Sequence, residues 1–311
     1  MAGLICPDYF GCSGKLSFGE TRRLALAVGH DEAGDDFSSI SAVGEIVSSI
    51  DRVHRCAKEW DRFARIAFNH AFGDVICAGA TPVQAMLSFE FGVDTSAEER
   101  ASCSQAFVQE LAERGVALGK CHSSLTDGVT AVTIATLASQ PSRLTSNLGS
   151  GSIYLSRPIG ALKIHYLAEL GALPDENGVS KLLEYPENGP FLSVPWTLLT
   201  DVSGHGLLGA AAQVAERCQL AIKLELSPAL AIAPEVLSLS VECLQNAMPS
   251  YGIPVEALPP EAEIIATLRE TAGPFLGFVE EGAIIDLSAV AGLRVGRYSC
   301  GEVRVAVSWN E

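Results

Sequence analysis

Thr200-Asp201-Val202-Ser203-Gly204-His205-Gly206-Leu207-Leu208-Gly209 is the stretch around which the chain is organised. The apolar run Val194-Pro195-Trp196-Thr197-Leu198-Leu199 precedes it, and the helical pattern Ala210-Ala211-Ala212-Gln213-Val214-Ala215-Glu216 follows. An acidic residue ending a strand, then a glycine turn opening a helix, sets a carboxylate beside backbone N–H groups that the helix leaves unbonded. That pairing suits a phosphate and its magnesium ion together, because the amides take the anion and the carboxylate takes the metal. Asp-x-Ser-Gly is also ordinary helix N-capping. Companions elsewhere in the chain must decide between the two readings.

The 311 residues suffice for two domains, each with its own core. Hydrophobic residues make up 48%, charged residues 19%, and there are 29 glycines, the composition of a compact globular protein. No apolar run reaches membrane-spanning length, so no membrane partner is expected. Met1-Ala2-Gly3-Leu4-Ile5-Cys6 has neither the basic region nor the long apolar region of a signal peptide. A formal net charge of −16 argues against a nucleic-acid-binding surface. It leaves polyphosphates open as ligands where divalent cations intervene. Nine cysteines, an odd number with no Cys-x-x-Cys pair, describe neither a disulfide framework nor a zinc site. Cys77 and Cys218 fall in helical apolar patterns and are expected to be buried small hydrophobes. A reducing cytoplasm is the compartment this usage implies.

Gly11-Cys12-Ser13-Gly14-Lys15 lies in a Gly/Ser-rich stretch before strong periodicity begins, and a mobile segment is expected there. The Lys15 ammonium favours the Cys12 thiolate, which makes it a better nucleophile at neutral pH. The alternative is an exposed thiol without a role. The segment is not a Walker A loop, and Gly115-Val116-Ala117-Leu118-Gly119-Lys120-Cys121 fails that pattern too, with Cys at the hydroxyl position.

Strands are expected over 23–29, 37–43 and 45–50, the last ending at Asp51, with the acidic cluster 30–36 between the first two. A long helix is expected over 60–78, with Phe63, Ile66, Ala67, Phe68, Ala71 and Val75 as its apolar positions. Asn69 and Asp74 interrupt it. Asp74 stands among Phe72, Val75, Ile76 and Cys77, where an unpaired carboxylate would be costly to bury. A ligand role there competes with a solvated helix face. A strand over 82–92 and an amphipathic helix over 98–115 follow. Next come a polar loop over 121–128 carrying His122, a residue that reads as structural on local grounds, and a strand over 129–137.

A linker is expected over 145–152, then a strand over 153–155 and a helix over 159–170 ended by Gly171. Residues 173–190 read as a polar surface excursion punctuated by Pro and Gly. Beyond the central motif the pattern gives a strand over 221–226, helices over 234–248 and 261–271, and strands over 277–287 and 303–309. Strands and helices interleave without a regular βαβ repeat, which indicates α+β architecture rather than a doubly wound sheet.

The order of motifs resembles selenophosphate synthetase (selenide, water dikinase), within the wider superfamily of aminoimidazole ribonucleotide synthetase and thiamine-monophosphate kinase. Gly11-Cys12-Ser13-Gly14-Lys15 looks like that family's lead segment, in which Cys precedes an essential Lys by three positions. Gly34-Asp35-Asp36-Phe37-Ser38-Ser39-Ile40 resembles its Asp-Asp-Ala-Ala-Val element, and Ile50-Asp51 its Thr-Asp. The stretch from Asn69 through Gly73-Asp74-Val75 to Thr81-Pro82 is similar to its Asn-Ala-x-Ser-Asp-x-Tyr-Ala-Met-Gly-Gly-x-Pro helix. Gly119-Lys120-Cys121-His122-Ser123 resembles Gly-Gly-His-Thr, and Ser152 to Gly160 resembles Val-Leu-Val-Leu-Thr-Lys-Pro-Leu-Gly. The opening decapeptide resembles Thr-Asp-Val-Thr-Gly-Phe-Gly-Leu-Leu-Gly.

The resemblance implies a two-domain α+β fold like that of aminoimidazole ribonucleotide synthetase, with a mixed-sheet N-terminal domain used to form a homodimer. Its boundaries would be a mobile segment over 1–20, an ATP- and metal-binding domain over 21–148 and a C-terminal domain over 149–311. It implies ATP as substrate, Mg²⁺ as metal and K⁺ as a further candidate ion. Asp36, Asp51, Asp74 and Asp201 become the metal-ligand candidates, and Cys12 with Lys15 the catalytic pair. Lys15, Asp36, Asp51, Asn69, Asp74 and His122 would contact the nucleotide. The reaction implied converts ATP, selenide and water to selenophosphate, AMP and phosphate.

The sequence departs from the family at Ser38 and Ser39, at Ser49-Ile50-Asp51 where Thr-Thr-Asp is common, and around His122. The C-terminal Pro-Gln-Thr-Ser-Gly-Gly element is absent, and Gly296-Arg297-Tyr298-Ser299-Cys300-Gly301-Glu302 stands in its place. Two alternatives stay open: an ATP-dependent enzyme of the same superfamily with another small-molecule acceptor, or a nucleotide-binding relative without catalysis. The retained carboxylates weigh against the latter, since four gathered without metal would repel one another.

Overall fold

The computed structural model describes residues 38–40, 46–139, 148–173, 178–184, 189–237, 260–283 and 292–310. They form an α+β architecture with two mixed sheets, as the sequence indicates. The chain divides into two compact units. Among the described residues the first unit holds 38–40, 46–139, 165–173 and 178–184, and the second holds 148–164, 189–237, 260–283 and 292–310.

The first unit is built on five strands: β1 (Ser38–Ile40), β2 (Ile46–His54), β3 (Thr81–Gly92), β4 (Ala117–Thr126) and β5 (Ala131–Ser139). Their order is β1-β2-β5-β3-β4, antiparallel except where β4 runs parallel to β3. Along β2, Val47, Ser49 and Val53 are buried and Ile50 and Arg52 are exposed, the period-two alternation of a half-buried strand. β2 runs on through Asp51 to His54, past the end expected from the sequence.

The helical pattern over 60–78 is two helices, α1 (Trp60–Ala71) and α2 (Gly73–Cys77), broken at Phe72. Phe72 serves as the last cap of one and the first of the other. Gly73 follows it, and the conformational freedom of glycine lowers helix persistence at that point. α3 (Ala97–Glu113) begins in a reciprocal capping box. The Glu99 N–H donates to Ser96 Oγ at 3.1 Å, and the Ser96 N–H donates to Glu99 Oε2 at 2.9 Å. Phe107 of α3 meets Phe63, Phe68 and Phe89 at ring separations of 5.3, 5.4 and 5.3 Å, which ties both helices to the sheet.

The polar loop expected over 121–128 is instead most of strand β4. Its residues are almost all exposed, so no buried face imposes alternation on its sequence. The surface excursion expected over 173–190 also contains packed structure. Of α4 (Ala161–Glu169), the residues from His165 onward belong to the first unit, as does α5 (Val179–Glu184), which buries Val179, Ser180, Leu183 and Glu184. Arg62 pairs with Glu169 at 3.1 Å and with Glu184 at 2.7 Å, and Arg65 pairs with Glu184 at 3.0 Å. The buried His165 ring spans Cys56 O at 2.7 Å and Ser180 Oγ at 2.8 Å.

The second unit carries six strands: β6 (Gly151–Leu155), β7 (Leu198–Asp201), β8 (Leu220–Leu226), β9 (Phe275–Glu280), β10 (Leu293–Cys300) and β11 (Arg304–Trp309). Their order is β11-β8-β10-β6-β9-β7, parallel only between β11 and β8. β10 is not evident from the sequence, because arginine and glycine interrupt its apolar alternation. Arg297 reaches Glu225 at 2.8 Å, and Gly296 lies where a Cβ would come within 2.2 Å of Lys223 O. The short α6 (Gly189–Leu192) precedes β7, and α7 (Gly206–Cys218) follows it, buried along most of its length. α8 (Pro234–Leu237) and α9 (Pro260–Thr267) complete the described helices. The rest of the helix expected over 234–248 lies outside the described residues. Cys77 and Cys218 are buried as expected, and so is Cys103, whose thiol burial pushes up to about 12.

Candidate nucleotide and metal site

Ser49 and Asp51 are two apart on β2 and so share one face of the strand. Asp74 comes from the first turn of α2. Ser49 Oγ lies 2.7 Å from Asp74 Oδ2 and 3.2 Å from Asp51 Oδ2. A hydroxyl carries one proton, so it donates to one carboxylate at a time. On the far side, His70 Nε2 of α1 stands 3.5 Å from Asp51 Oδ1, and the ring is buried. Two carboxylates therefore converge on a single shared hydroxyl, with an imidazole behind one of them.

That donor set fits a hard divalent cation. Carboxylate and hydroxyl oxygens are its preferred ligands, and a cation relieves the mutual repulsion of two close carboxylates. Among the described residues no group of three or more His, Cys, Asp or Glu side chains is arranged to hold a metal by itself. Further oxygens would have to come from elsewhere, as they do when phosphate and water complete a magnesium shell.

In the second unit Asp201 is buried at the end of β7, as the sequence indicates. The N-cap of α7 is His205, with no side-chain cap hydrogen bond. The turn is fastened from outside. The Val202 N–H donates to Pro274 O at 2.8 Å, and the Glu270 N–H donates to Ser203 O at 3.0 Å. Gly206 has φ +67°, and a Cβ there would lie 2.8 Å from the Thr267 carbonyl carbon, so glycine is required at that point.

Asn69 is engaged by its own unit. Its Nδ2 donates to Leu183 O at 2.6 Å and Glu184 O at 2.8 Å, and its Oδ1 accepts from Arg114 at 2.7 Å. It thereby closes the carbonyl end of α5. His122 is exposed on β4, opposite Ser88 of β3. Cys12, Lys15 and Asp36 lie outside the described residues.

Two residues carry no site role at the level of sequence. Ser49 had a faint signal, a hydroxyl two residues before a carboxylate on the inward face of a strand. Glu270 had none, because Leu268-Arg269-Glu270-Thr271 reads as a solvated helix end. It is fully buried instead. Its carboxylate accepts from the N–H groups of Gly160, Ala161 and Leu162 at the start of α4, the last two at 3.1 and 3.2 Å. Burial pushes the Glu270 carboxyl above the usual range, while the equally buried Arg157 and the three amides act in the opposite direction. Arg157 Nη2 in turn donates to Ala272 O at 2.7 Å.

Residues 34–138 match the family described as "AIR synthase related protein, N-terminal domain". No curated protein sequence matches the chain. Among solved structures it is similar to AaThiL complexed with AMPPCP and TMP, with TM-score 0.67 and 16% identity over 93% of this chain and 92% of that one. It is similar to thiamine monophosphate kinase (ThiL) from Aquifex aeolicus, with TM-score 0.59 and 14% identity over 93% and 96%. E. coli HypE, a hydrogenase maturation protein, gives TM-score 0.60 and 15% identity over 93% and 94%. At these identities the likeness is one of fold, and it extends over nearly the whole chain. Residues 34–138 thus match the AIR synthase-related N-terminal domain model, and the chain is similar in fold to these ThiL and HypE structures.

Proposed function

We propose that the protein is an ATP- and Mg²⁺-dependent phosphotransferase. The observation that carries this reading is the convergence of Asp51 and Asp74 on the Ser49 hydroxyl. ATP is polyanionic and the chain has net charge −16, so hard cations must stand between them. Asp51 and Asp74 would hold Mg²⁺, with Ser49 fixing their inner oxygens and His70 orienting Asp51. Asp36 and Asp201 are the further ligands that the resemblance to selenophosphate synthetase assigns. Bound there, the metal supplies charge neutralisation for phosphates undergoing transfer. The nucleotide analogue in the AaThiL complex supports a nucleotide as ligand. The direct test is a calorimetric titration with ATP: saturable binding with Mg²⁺ and its loss in EDTA are expected, and equal binding in both would overturn the metal's role.

The acceptor has two readings. Cys12 and Lys15 favour selenide, with AMP and phosphate as companion products. The likeness to AaThiL bound to TMP favours a phosphate ester as acceptor, which would leave ADP. The nucleotide product separates them.

A homodimer is part of the same reading. Ile50 of β2, Ala135 of β5 and Met86 of β3 stand opposite one another across the sheet, with Ile50 69% and Met86 39% exposed. A second copy of the chain laid on this apolar row would bury it. Light scattering should give a dimer mass for the wild type and a monomer for Ile50→Glu; a monomeric wild type would remove the proposal.

A further inference from the structure

A cavity lies in the first unit, between the N-terminal half of α3 and the end of β4. Its volume is about 360 Å³, and it is lined by Phe91, Arg100, Ala101, Ser104, Ser123, Ser124 and Leu125. None of the lining residues belongs to the Asp51–Asp74 arrangement. The volume lies at the lower end of the range for small-molecule sites, roughly 300–1,000 Å³.

The lining has a definite chemistry. Arg100 is half-buried, and no described carboxylate pairs with its guanidinium. Elsewhere in this acidic protein arginines find such partners: Arg52 with Glu90, Arg62 with Glu169 and Glu184, Arg114 with Glu110, Arg297 with Glu225. Arg100 also sits at the end of the first turn of α3, where the helix dipole adds positive potential rather than cancelling the charge. Ser123 stands opposite Phe89 on β3 and shares its face of β4 with Leu125, and its hydroxyl makes no hydrogen bond to another described residue, whereas the Ser124 side chain alternates to the other face. Beside these donors are two apolar groups: Phe91, which is buried, and Leu125, which is 60% exposed. The cavity therefore offers one fixed positive charge, one hydroxyl donor and an apolar wall, with no acidic residue in its lining.

We propose that this cavity binds a small organic monocarboxylate, its carboxylate on Arg100 and the Ser123 hydroxyl and its apolar body against Phe91 and Leu125. A guanidinium matches a planar carboxylate through two parallel N–H···O bonds. A single cation balances a monoanion, whereas a phosphate dianion would be left half compensated. This site stands apart from nucleotide chemistry and does not depend on it.

The test uses the full-length, isotope-labelled protein and phenylacetate as the probe, with neutral phenylacetamide as its isosteric control. Phenylacetate is expected to shift the backbone amide resonances of Arg100, Ser123, Ser124 and Leu125 saturably. Phenylacetamide, and phenylacetate on Arg100→Gln, should bind at least about tenfold more weakly, because charge-assisted hydrogen bonds are roughly twice as strong as neutral ones. Arg100→Lys keeps the charge but loses the fork and should fall between. Unmoved amides at these four positions would overturn the proposal, as would equal affinity for the acid and the amide. Phenyl phosphate binding more tightly than phenylacetate would replace the monocarboxylate with a phosphate ligand and so overturn the assignment as well.

Discussion

Asp74→Asn should weaken Mg²⁺-dependent ATP binding by at least about tenfold, some 1.4 kcal/mol, while leaving the fold intact. Asparagine retains an acceptor oxygen for the Ser49 hydroxyl, which lies 2.7 Å from Asp74 Oδ2, so local geometry survives. What disappears is a formal negative charge next to a divalent cation, and hard cations bind amide oxygens less strongly than carboxylates. The same change removes the repulsion between Asp74 and Asp51. Without Mg²⁺ the variant should therefore be at least as stable to urea as the wild type. A purely structural Asp74 predicts the reverse pair of results: unchanged Mg-ATP affinity and a loss of stability in EDTA.

Glu270→Ala should lower the unfolding free energy by about 3–5 kcal/mol, because it leaves three buried N–H groups and a buried guanidinium without their acceptor. Glu270 is fully buried, and its ionic neighbour Arg157 is buried with it. Alanine offers no acceptor, so the N–H groups of Gly160, Ala161 and Leu162 at the start of α4 lose their cap. Arg157 is left with its charge uncompensated, and its Nε already lacks a hydrogen-bond partner among the described residues. Adding Arg157→Met should recover part of the loss, since it removes the buried guanidinium and leaves only the uncapped N–H groups. Urea titrations of the single and double variants give both numbers.

The pH dependence follows from the direction of the shift. Burial raises the folded-state pKa of Glu270 above its unfolded value. The folded chain thus holds this proton more tightly, and the contribution is fully present below the ordinary carboxylate pKa. It is lost as pH rises through the folded value. Glu270→Gln should flatten that part of the stability profile, and an unchanged profile would show that Glu270 does not titrate there.

The sequence made the Thr200–Gly209 region readable because an apolar run, an acidic residue and a glycine-led helix follow one another there. Both the strand and the helix sit where that order places them. Asp74 was visible because a carboxylate among Val75, Ile76 and Cys77 calls for a reason. Ser49 was not, since a serine on an inward strand position looks like any half-buried hydroxyl. β4 was hidden because an edge strand exposed on nearly every residue has no apolar face to alternate. α5 was hidden by the Pro and Gly around it, although four of its residues are buried. Glu270 escaped because its partners lie 108–110 residues away, a separation at which local pattern carries no signal.

Phosphorus NMR of the protein with ATP and Mg²⁺ tests the central claim most directly, run anaerobically with selenide, with sulfide as control, and separately with thiamine monophosphate. Phosphotransfer predicts loss of the ATP β-phosphorus resonance when the true acceptor is present. A selenium-dependent phosphorus signal appearing with AMP would identify selenide as that acceptor; ADP formed with thiamine monophosphate would identify the phosphate ester. ATP left intact under every condition, in a protein shown to bind Mg-ATP, would contradict the account.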